Sequence, residues 1–371
     1  MHNCVHLFIF DTMEVDLDIF EEIDTSFLLS DNVTLLNAAH RGDLEKVRKL
    51  IEEENHNPYQ TGKYGNSPLH YAAAGGRINV LRYLIDQRGY SHSPEGHFKQ
   101  IPLHIAAQYG QLDVVKYFIV EQKVDPSNQD KFLRTPLHYA CIGGNVDLVK
   151  YLLNEMLLYH PLDRNKFVYE KTKAGNTALH FASRNGHLNL VHHFVSELKC
   201  EPLVRGKQNR TILHDAAENG HESIVSYLIN EQKCDPMIVS NGGDTPLHLA
   251  AANGNLAIVR LLALDKRFDF TRCRNLSNNT PLHTAALNGH LEVVQLFTSE
   301  AAWDPNILGW RRRTPLHFAA MNGHLEIVQY LVRESNCNPL VEDRNGQTSA
   351  ELAQHNAVSY THLTLPTILR V

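Results

Sequence analysis

The 371-residue chain lacks the features that mark several classes of protein. Its six cysteines are scattered and no two form a C-x-x-C pair, a distribution typical of a reducing compartment. No apolar run reaches the length of a membrane span. Basic residues do not exceed acidic ones, and the net charge of −6 argues against a dedicated nucleic-acid-binding protein. We therefore expect a cytoplasmic protein, with the nucleus as the alternative compartment, that binds no nucleic acid.

Short motifs for phosphate, nucleotide and zinc chemistry are also missing. The sequence contains no G-x-x-x-x-G-K-[ST], no dinucleotide fingerprint and no H-E-x-x-H. Its hydrophobic content of 43% and charged content of 20% are those of a folded chain rather than a disordered one. We therefore expect the chain to fold, but no short motif indicates an enzymatic reaction.

One phrase recurs along the chain, and its copy at residues 314–332 reads TPLHFAAMNGHLEIVQYLV. Copies begin at Val33, Ser67, Ile101, Thr135, Thr177, Thr211, Thr245, Thr280, Thr314 and Thr348. The spacing is 34 residues, apart from one step of 35 and one of 42. The long step places an insertion of eight residues between the fourth and fifth copies, and the tenth copy stops after about one helix. Such a fixed period is the signature of a repeat protein.

Each copy predicts two antiparallel helices followed by a projecting loop. Thr314 is a suitable N-cap, and Pro315 suits the first helical position because its missing N–H costs nothing there. The alanine pair 319–320 lets another helix approach closely, and Gly323 ends the helix in a left-handed conformation. Apolar residues at helical spacing then predict the second helix.

The period of 34 also fits a tetratricopeptide repeat, but the Trp–Leu–Gly–Tyr pattern of that family is absent. Through TPLHYAAAGG-like and TPLHTAALNGHLEVV phrases, residues 31–357 resemble the ankyrin repeat family. The resemblance implies an all-α solenoid of nine to ten helix-turn-helix units with hairpin-like loops, called fingers, projecting from one edge. It further implies that function lies in binding protein partners.

A histidine stands at the fourth position of eight copies. These histidines are His70, His104, His138, His180, His214, His248, His283 and His317. They occupy the third helical position, from which a polar side chain can reach back to the N-cap. Metal binding or catalysis is the alternative, but zinc needs several converging ligands and the histidines are spread one per repeat. We expect structural histidines, no metal and no cofactor.

Other recurring polar residues receive the same interpretation. His187, His221, His290 and His324 follow the turn glycine and are predicted to be structural or solvent-facing. Cys200, Cys234 and Cys337 occupy equivalent places one or more repeats apart, too far for a disulfide, and are predicted to be small core side chains.

Candidate partner-binding residues lie where the scaffold does not require them. Tyr64, Phe98 and Phe132 stand three residues before the phrase in consecutive copies, beside cations that include Lys131 and Arg134. With Tyr109 at the end of a first helix, they predict an aromatic surface flanked by positive charge. The alternative is that the rings only pack against neighbouring fingers. Two positions before the phrase, most copies carry Gly or Asn, whereas copies three, four and nine carry Lys99, Leu133 and Arg312.

A second candidate surface is GWRRRT at residues 309–314. Trp310, Arg311 and Arg312 are predicted to contact an acidic or phosphorylated segment, although a solvated run of charge is the simpler interpretation.

The two ends differ from the repeats. Residues 1–30 alternate acidic with apolar residues and predict either a cap for the first repeat or a docking tail, with Met1 or Met13 as the start. Residues 358–371 have no repeat character, and VSYTHLTLPT resembles the translation of a sequencing adaptor. We expect that tail to be an assembly artefact and the chain to be a C-terminally truncated fragment.

The sequence thus favours a monomeric, non-enzymatic interaction scaffold that binds proteins through its fingers and concave helix face. The alternative is the regulatory ankyrin region of a larger enzyme, receptor or ion channel. Neither the partner nor the pathway follows from the sequence, because a fold does not fix a function.

Overall fold

The structure, a computed structural model, describes residues 34–161 and 164–355. Within these ranges it contains twenty α-helices, several short 3₁₀ and π-helical segments, and no strand. The chain divides into two compact units, Met1–Ala182 and Ser183–Val371. The predicted all-α class of helix pairs with projecting loops is confirmed.

The first helix of each repeat is short and begins one residue after a capping position. These first helices are α1 (Leu35–Arg41), α3 (Pro68–Ala74), α5 (Pro102–Gln108), α7 (Pro136–Gly143), α10 (Ala178–Arg184), α12 (Ile212–Glu218), α14 (Pro246–Ala252), α16 (Pro281–Asn288), α18 (Pro315–Asn322) and α20 (Ser349–His355). Helix α7 shows why they start and stop where they do. Thr135 is extended (φ −93°, ψ 166°), Pro136 opens the helix, and Gly144 ends it at φ 81°.

The second helices follow after a tight turn. They are α2 (Leu44–Glu52), α4 (Ile78–Arg82), α6 (Leu112–Lys116), α8 (Val146–Tyr159), α11 (Leu188–His192), α13 (Glu222–Ser226), α15 (Leu256–Ala263), α17 (Leu291–Gln295) and α19 (Leu325–Arg333). Helices α4, α6, α11, α13 and α17 run on into a wider π-helical turn of five residues. Their apolar positions are buried, for example Val114 and Val115 in α6.

Within the first unit, α1, α3, α5 and α7 pack in sequence, each against the next. Within the second unit, α12, α14, α16, α18 and α20 do the same, and so do the second helices from α11 to α19. The alanine pairs of the first helices, such as Ala106–Ala107, are fully buried. Small side chains there let neighbouring helices approach closely, which places successive loops side by side.

The eight-residue insertion lengthens α8 to fourteen residues and adds the short helix α9 (Arg164–Val168). The Tyr159 hydroxyl donates to the Ile119 carbonyl at 3.0 Å, and His160 Nε2 lies 3.1 Å from the Asp125 carboxylate. The inserted segment is therefore bonded to the preceding repeat.

Several sequence predictions fall outside the described residues. These are the segment 1–30, the tail 358–371 and the copy start at Val33. The first described residue, Thr34, caps α1 and accepts from the Asn37 N–H at 3.2 Å. Among the helices of the described ranges, none is both long and apolar enough to cross a lipid bilayer.

Candidate functional site

The segments preceding α3, α5, α7 and α10 form five-residue fingers. We name them finger 2 (62–66), finger 3 (96–100), finger 4 (130–134) and finger 5 (172–176). In each, the first residue's N–H donates to the last residue's carbonyl, at 2.9 Å in fingers 2, 3 and 5 and at 3.0 Å in finger 4. Each finger is thus a closed backbone turn that holds its middle residues at the tip.

Neighbouring fingers are joined tip to tip by backbone hydrogen bonds. The His97 N–H donates to the Tyr64 carbonyl at 3.0 Å, and the Lys131 N–H donates to the Phe98 carbonyl at 2.7 Å. The Lys173 N–H donates to the Phe132 carbonyl at 2.8 Å. The ladder fixes the register of the fingers, so the three residues predicted as an aromatic row do share one place in successive tips.

Two of these aromatic side chains meet directly. The ring centroids of Phe98 and Phe132 lie 5.3 Å apart at 40°, and both rings are half-buried. The Lys131 ammonium lies 5.9 Å from the centroid of the Phe98 ring, and Lys131 is exposed. Tyr64 is also half-buried at its own tip. The tips of fingers 3 and 4 therefore present apolar rings beside an exposed cation.

Arg134 does not belong to this exposed set, contrary to the sequence prediction. It is only 3% exposed, and its Nε lies 2.6 Å from the Asp130 carboxylate. The Tyr139 hydroxyl donates to the same carboxylate at 2.9 Å. The Arg134 guanidinium lies 4.8 Å from the Phe132 ring centroid. Arg134 therefore supports Phe132 from inside the fold and does not face a partner.

The residues that interrupt the Gly/Asn pattern keep the same backbone conformation. Lys99 and Leu133 both have φ 61°, as Gly65 and Gly175 in the adjacent fingers have φ 70° and 93°. A non-glycine residue in this left-handed region is strained by about 1 kcal/mol. Leu133 is nevertheless 42% exposed. Two adjacent fingers thus hold side chains at strained positions where the backbone favours glycine.

Tyr109 lies at the C-terminal end of α5 and is half-buried. The equivalent residues of the flanking repeats are Gly75 and Gly143. A Cβ atom on either would lie 2.2 Å from the His40 carbonyl oxygen or 1.9 Å from that of Gln108, so the close approach of the helices requires glycine at both places. No side chain therefore extends from the equivalent position on either side of Tyr109.

The Trp310 finger (309–313) has two successive left-handed residues at its tip, Arg311 (φ 54°) and Arg312 (φ 60°). The Arg311 and Arg313 guanidinium groups lie 4.3 and 5.2 Å from the Trp310 ring centroid. Arg313 is 6% exposed and its Nε donates to Asp343 Oδ2 at 3.1 Å. Only Arg311 and Arg312 of the three arginines are exposed, because Arg313 occupies the supporting position that Arg134 takes in finger 4.

All eight phrase histidines are buried, with at most 1% of each residue exposed. In His138 the Nδ1 atom accepts from the Thr135 N–H at 3.1 Å, and Nε2 donates to the Glu170 carbonyl at 3.2 Å. His70 makes the equivalent bonds to the Ser67 N–H at 3.1 Å and to the Gln100 carbonyl at 3.0 Å. Both rings thereby connect a helix cap to the following loop.

This bonding requires a neutral imidazole, because Nδ1 accepts while Nε2 donates. Burial lowers the imidazole pKa to about 4 in His70, His104, His138 and His214, and to about 3 in His283. Across the described residues no group of three or more His, Cys, Asp or Glu is arranged to hold a metal ion.

The sequence left open whether His221, His290 and His324 are structural or solvent-facing. They donate from Nε2 to the carbonyls of Arg184, Ala252 and Leu287 at 2.7, 2.9 and 2.9 Å, so they cap the preceding first helix and are structural. Sequence reasoning missed a buried carboxylate. Asp215 is 1% exposed and lies 3.4 and 3.6 Å from Arg184 and Arg210. It stands where most other copies carry Tyr, Ile, Phe or Leu.

A family model described as "Ankyrin repeats (3 copies)" matches residues 2–96, 35–130, 103–205, 186–273, 213–307 and 267–343. A comparison with curated proteins gave no match. Ankyrin repeats are a general protein–protein interaction module and are generally not catalytic. The overlapping matches, the paired helices and the bonded fingers together show that the chain belongs to the ankyrin repeat family.

Proposed function

We propose that the protein is a non-enzymatic interaction scaffold that binds a protein partner through fingers 2–5 and the adjoining ends of the first helices. The observation that carries the proposal is the half-buried pair Phe98–Phe132 beside exposed Lys131 and Leu133. Aromatic side chains are favoured at the centres of interfaces, where they fill pockets of the partner.

The preorganised arrangement of the fingers supports the same proposed binding surface. The three backbone bonds between fingers 2 and 5 fix the tips relative to one another before any partner arrives. A surface that is already ordered loses little conformational entropy on binding, so more of the contact energy is expressed as affinity.

Backbone strain supports the proposed finger surface independently of the aromatic pair. Lys99 and Leu133 stand in the left-handed region, whereas glycine at these positions would be unstrained. Strain of this kind concentrates at functional positions, where the side chain is needed for contact. Packing alone does not account for Leu133, because 42% of it is exposed.

We propose the Trp310 finger as a second contact surface. Arg311 and Arg312 are exposed, and stacking on Trp310 orients the Arg311 guanidinium. A planar guanidinium held in this way suits bidentate contact with a carboxylate or phosphate.

Affinity capture from a cell lysate tests the first surface. The full chain is compared with the triple variant Tyr64→Ser, Phe98→Ser and Phe132→Ser, and with a control variant Phe270→Ser at another exposed aromatic residue (52% exposed). We expect a specific set of partners to be lost only from the triple variant, with helical circular dichroism unchanged. Equal capture by all three proteins would contradict the proposal for fingers 2–5.

A further inference from the structure

The exposed charge on fingers 3–5 has a single sign. Lys99, Lys131 and Lys173 are exposed, and the sequence of these three fingers contains one acidic residue. That residue, Asp130, is 3% exposed and accepts from the Arg134 Nε at 2.6 Å. Among the residues that the structure describes, no ion pair neutralises the three lysine ammonium groups. A partner that binds across these tips therefore gains from carrying negative charge.

The second residue of each finger has a fixed position, because its backbone makes the bond to the preceding finger. The N–H groups of His97, Lys131 and Lys173 are the donors of the three tip-to-tip bonds. All three residues are exposed. The bonds therefore hold one basic residue per finger in a row, which we name the basic row.

The period of the basic row follows from the way the fingers are bonded. Each finger is a closed turn, so it contributes two neighbouring stretches of backbone to the row. Hydrogen-bonded backbones lie about 4.8 Å apart, and two such steps per finger give a period of about 9.6 Å. The first helices α3, α5 and α7 pack each against the next, and packed helices lie about 8–10 Å apart. Both routes give the same period.

A polyproline II helix repeats at this period. It has about three residues per turn and rises about 3.1 Å per residue, so every third side chain points the same way after about 9.3 Å. Side chains on one face of a β-strand recur after about 6.8 Å, and those of an α-helix recur after about 5.4 Å. An α-helix matches the row only after two turns, at about 10.8 Å. The polyproline II helix alone places consecutive same-face residues opposite consecutive basic residues.

The aromatic pair beside the basic row favours the same conformation. Phe98 and Phe132 are the third residues of fingers 3 and 4, and their half-buried rings lie 5.3 Å apart. Aromatic surfaces dock proline-rich segments, which are already extended and lose little conformational entropy on binding. The finger tips thus place an apolar surface suited to proline next to cations suited to carboxylates.

Resting on the proposed function, we propose that the partner of fingers 3–5 presents a polyproline II segment with an acidic residue at every third position. The acidic residues face His97, Lys131 and Lys173, and prolines between them contact the rings of Phe98 and Phe132. A segment of about seven residues reaches the whole basic row, because three basic residues span two turns of the helix. Acidic residues at other spacings lie on different sides of the helix and cannot all face the row.

Three synthetic peptides of identical composition test the spacing. PPEPPEPPEPP carries glutamate at every third position, whereas PPEPEPEPPPP and PEPPPEPPPEP carry it at every second and every fourth position. All three favour the polyproline II conformation and have the same charge, so they differ in the faces on which the glutamates lie. Each peptide is labelled with fluorescein and titrated with the full chain, and binding is measured by fluorescence anisotropy. We expect PPEPPEPPEPP to bind at least fivefold more tightly than the other two, and equal affinities would overturn the proposal.

Substitution of the lysines tests where the peptide binds. Lys131→Gln with Lys173→Gln should weaken binding of PPEPPEPPEPP at least fivefold and remove its advantage over the other two peptides. Lys233→Gln with Lys266→Gln, at two exposed lysines of the second unit, should leave both quantities unchanged. An advantage that survives the Lys131 and Lys173 substitutions would mean that the peptide binds elsewhere, and the proposal would be wrong.

Two further measurements test the conformation and the aromatic contact. An alanine-based helical peptide with glutamate at every seventh position should bind less tightly than PPEPPEPPEPP, and tighter binding would show that the row accepts an α-helix instead. Phe98→Ser with Phe132→Ser should weaken binding of PPEPPEPPEPP at least threefold, with helical circular dichroism unchanged. Unaltered binding would exclude the contact between prolines and rings.

This inference and the proposed function fail in different ways. If the triple aromatic variant loses partners from the lysate but the three peptides bind equally, the finger surface stands and the inferred spacing is wrong. If PPEPPEPPEPP binds through Lys131 and Lys173 but capture is equal for all variants, the spacing stands and the aromatic surface does not select the partner.

Discussion

The Nε of Arg134 lies 2.6 Å from Oδ2 of Asp130, and both side chains are buried next to the ring of Phe132. The same arrangement recurs between Arg313 and Asp343 at 3.1 Å, next to Trp310. Asp130 Oδ1 also accepts from the N–H groups of Phe132 and Arg134 at 2.8 Å each. A buried ion pair therefore holds an exposed finger tip in position.

Removing the Arg134 cation while keeping Asp130 should strongly lower the stability of the protein. Arg134→Met leaves Asp130 as an unpaired buried charge, and we expect a loss of about 3–5 kcal/mol in the free energy of unfolding. Adding Asp130→Asn removes the charge while keeping the Oδ1 acceptor, so the double variant should recover part of that loss. Urea denaturation measures both.

The exposed pair Arg82–Glu121, at 2.7 Å, provides the control for Arg134→Met. Arg82→Met should change the free energy of unfolding by less than about 1 kcal/mol, because solvent screens an exposed pair. If the Arg134→Met single and double variants lose equal stability, the buried charge is not the cause.

Acid should destabilise the array. In the unfolded chain the histidines titrate near their ordinary pKa of 6.5, whereas burial lowers the pKa of His70, His104 and His138 to about 4. Between these values the unfolded state binds more protons, so stability is fully present above about pH 7 and falls as the pH drops toward 4. Each such histidine contributes at most about 1.4 kcal/mol per pH unit. The urea midpoint should therefore fall clearly from pH 7 to pH 5.

Two single variants, one at a buried and one at an exposed histidine, test whether burial causes the pH dependence of stability. His104→Gln should lower stability at pH 7 and make the decline between pH 6.5 and 5 shallower, since His104 is fully buried. His97→Gln, at an exposed finger position, should change neither quantity. A midpoint that is the same at pH 7 and pH 5 in the parent chain would show that the histidines are not kept neutral by burial.

The repeat phrase predicted the helix boundaries well because capping and helix ending are local. Thr135 and Gly144 act through their own backbone conformations, which a sequence pattern records directly. The position of the finger tips followed from the same register. Arg134 was misplaced because its burial depends on Asp130 and Tyr139, and a charged residue in a loop gives no sign of that.

The strained residues illustrate a second limit of prediction from the sequence. Lys99 and Leu133 were recognised as departures from the Gly/Asn pattern, but the pattern could not tell whether the turn itself had changed. The structure retains φ 61° at both, because the tip-to-tip bonds fix the backbone whatever side chain it carries. Tertiary context has overridden the local preference.

Asn37 should be a site where stability can be gained. It is the third residue of α1, but the 34-residue spacing aligns it with Tyr71 rather than with His70, and it is fully buried. Among the residues that the structure describes, neither polar atom of its side chain has a hydrogen-bond partner. An unsatisfied buried amide costs about 1–3 kcal/mol. Asn37→Leu removes these groups and should raise the thermal midpoint by a few degrees.

Calorimetry of the parent chain and the Asn37→Leu variant checks this expectation. A lower midpoint for the variant would mean that the amide is satisfied in solution, for example by a buried water molecule.

Leu133→Gly should weaken partner binding while leaving the stability of the fold nearly unchanged. Glycine adopts φ 61° without strain, which offsets the greater conformational entropy it gives to the unfolded chain. We therefore expect the free energy of unfolding to stay within about 1 kcal/mol of the parent value. Partner capture by fingers 2–5 should nevertheless weaken, because an exposed aliphatic contact is lost. Most interface substitutions that weaken binding act on the dissociation rate, so surface plasmon resonance with a captured partner should show faster release.

Leu276→Gly is the matched control, since Leu276 is an exposed leucine (81%) near the tip of another finger. Its backbone is not in the left-handed region, so glycine brings no relief of strain and the variant should be slightly less stable than the parent. Release of a partner bound at fingers 2–5 should be unchanged. If Leu133→Gly instead gains stability with no change in release, the strain at position 133 serves no contact and the ring pair alone defines the surface.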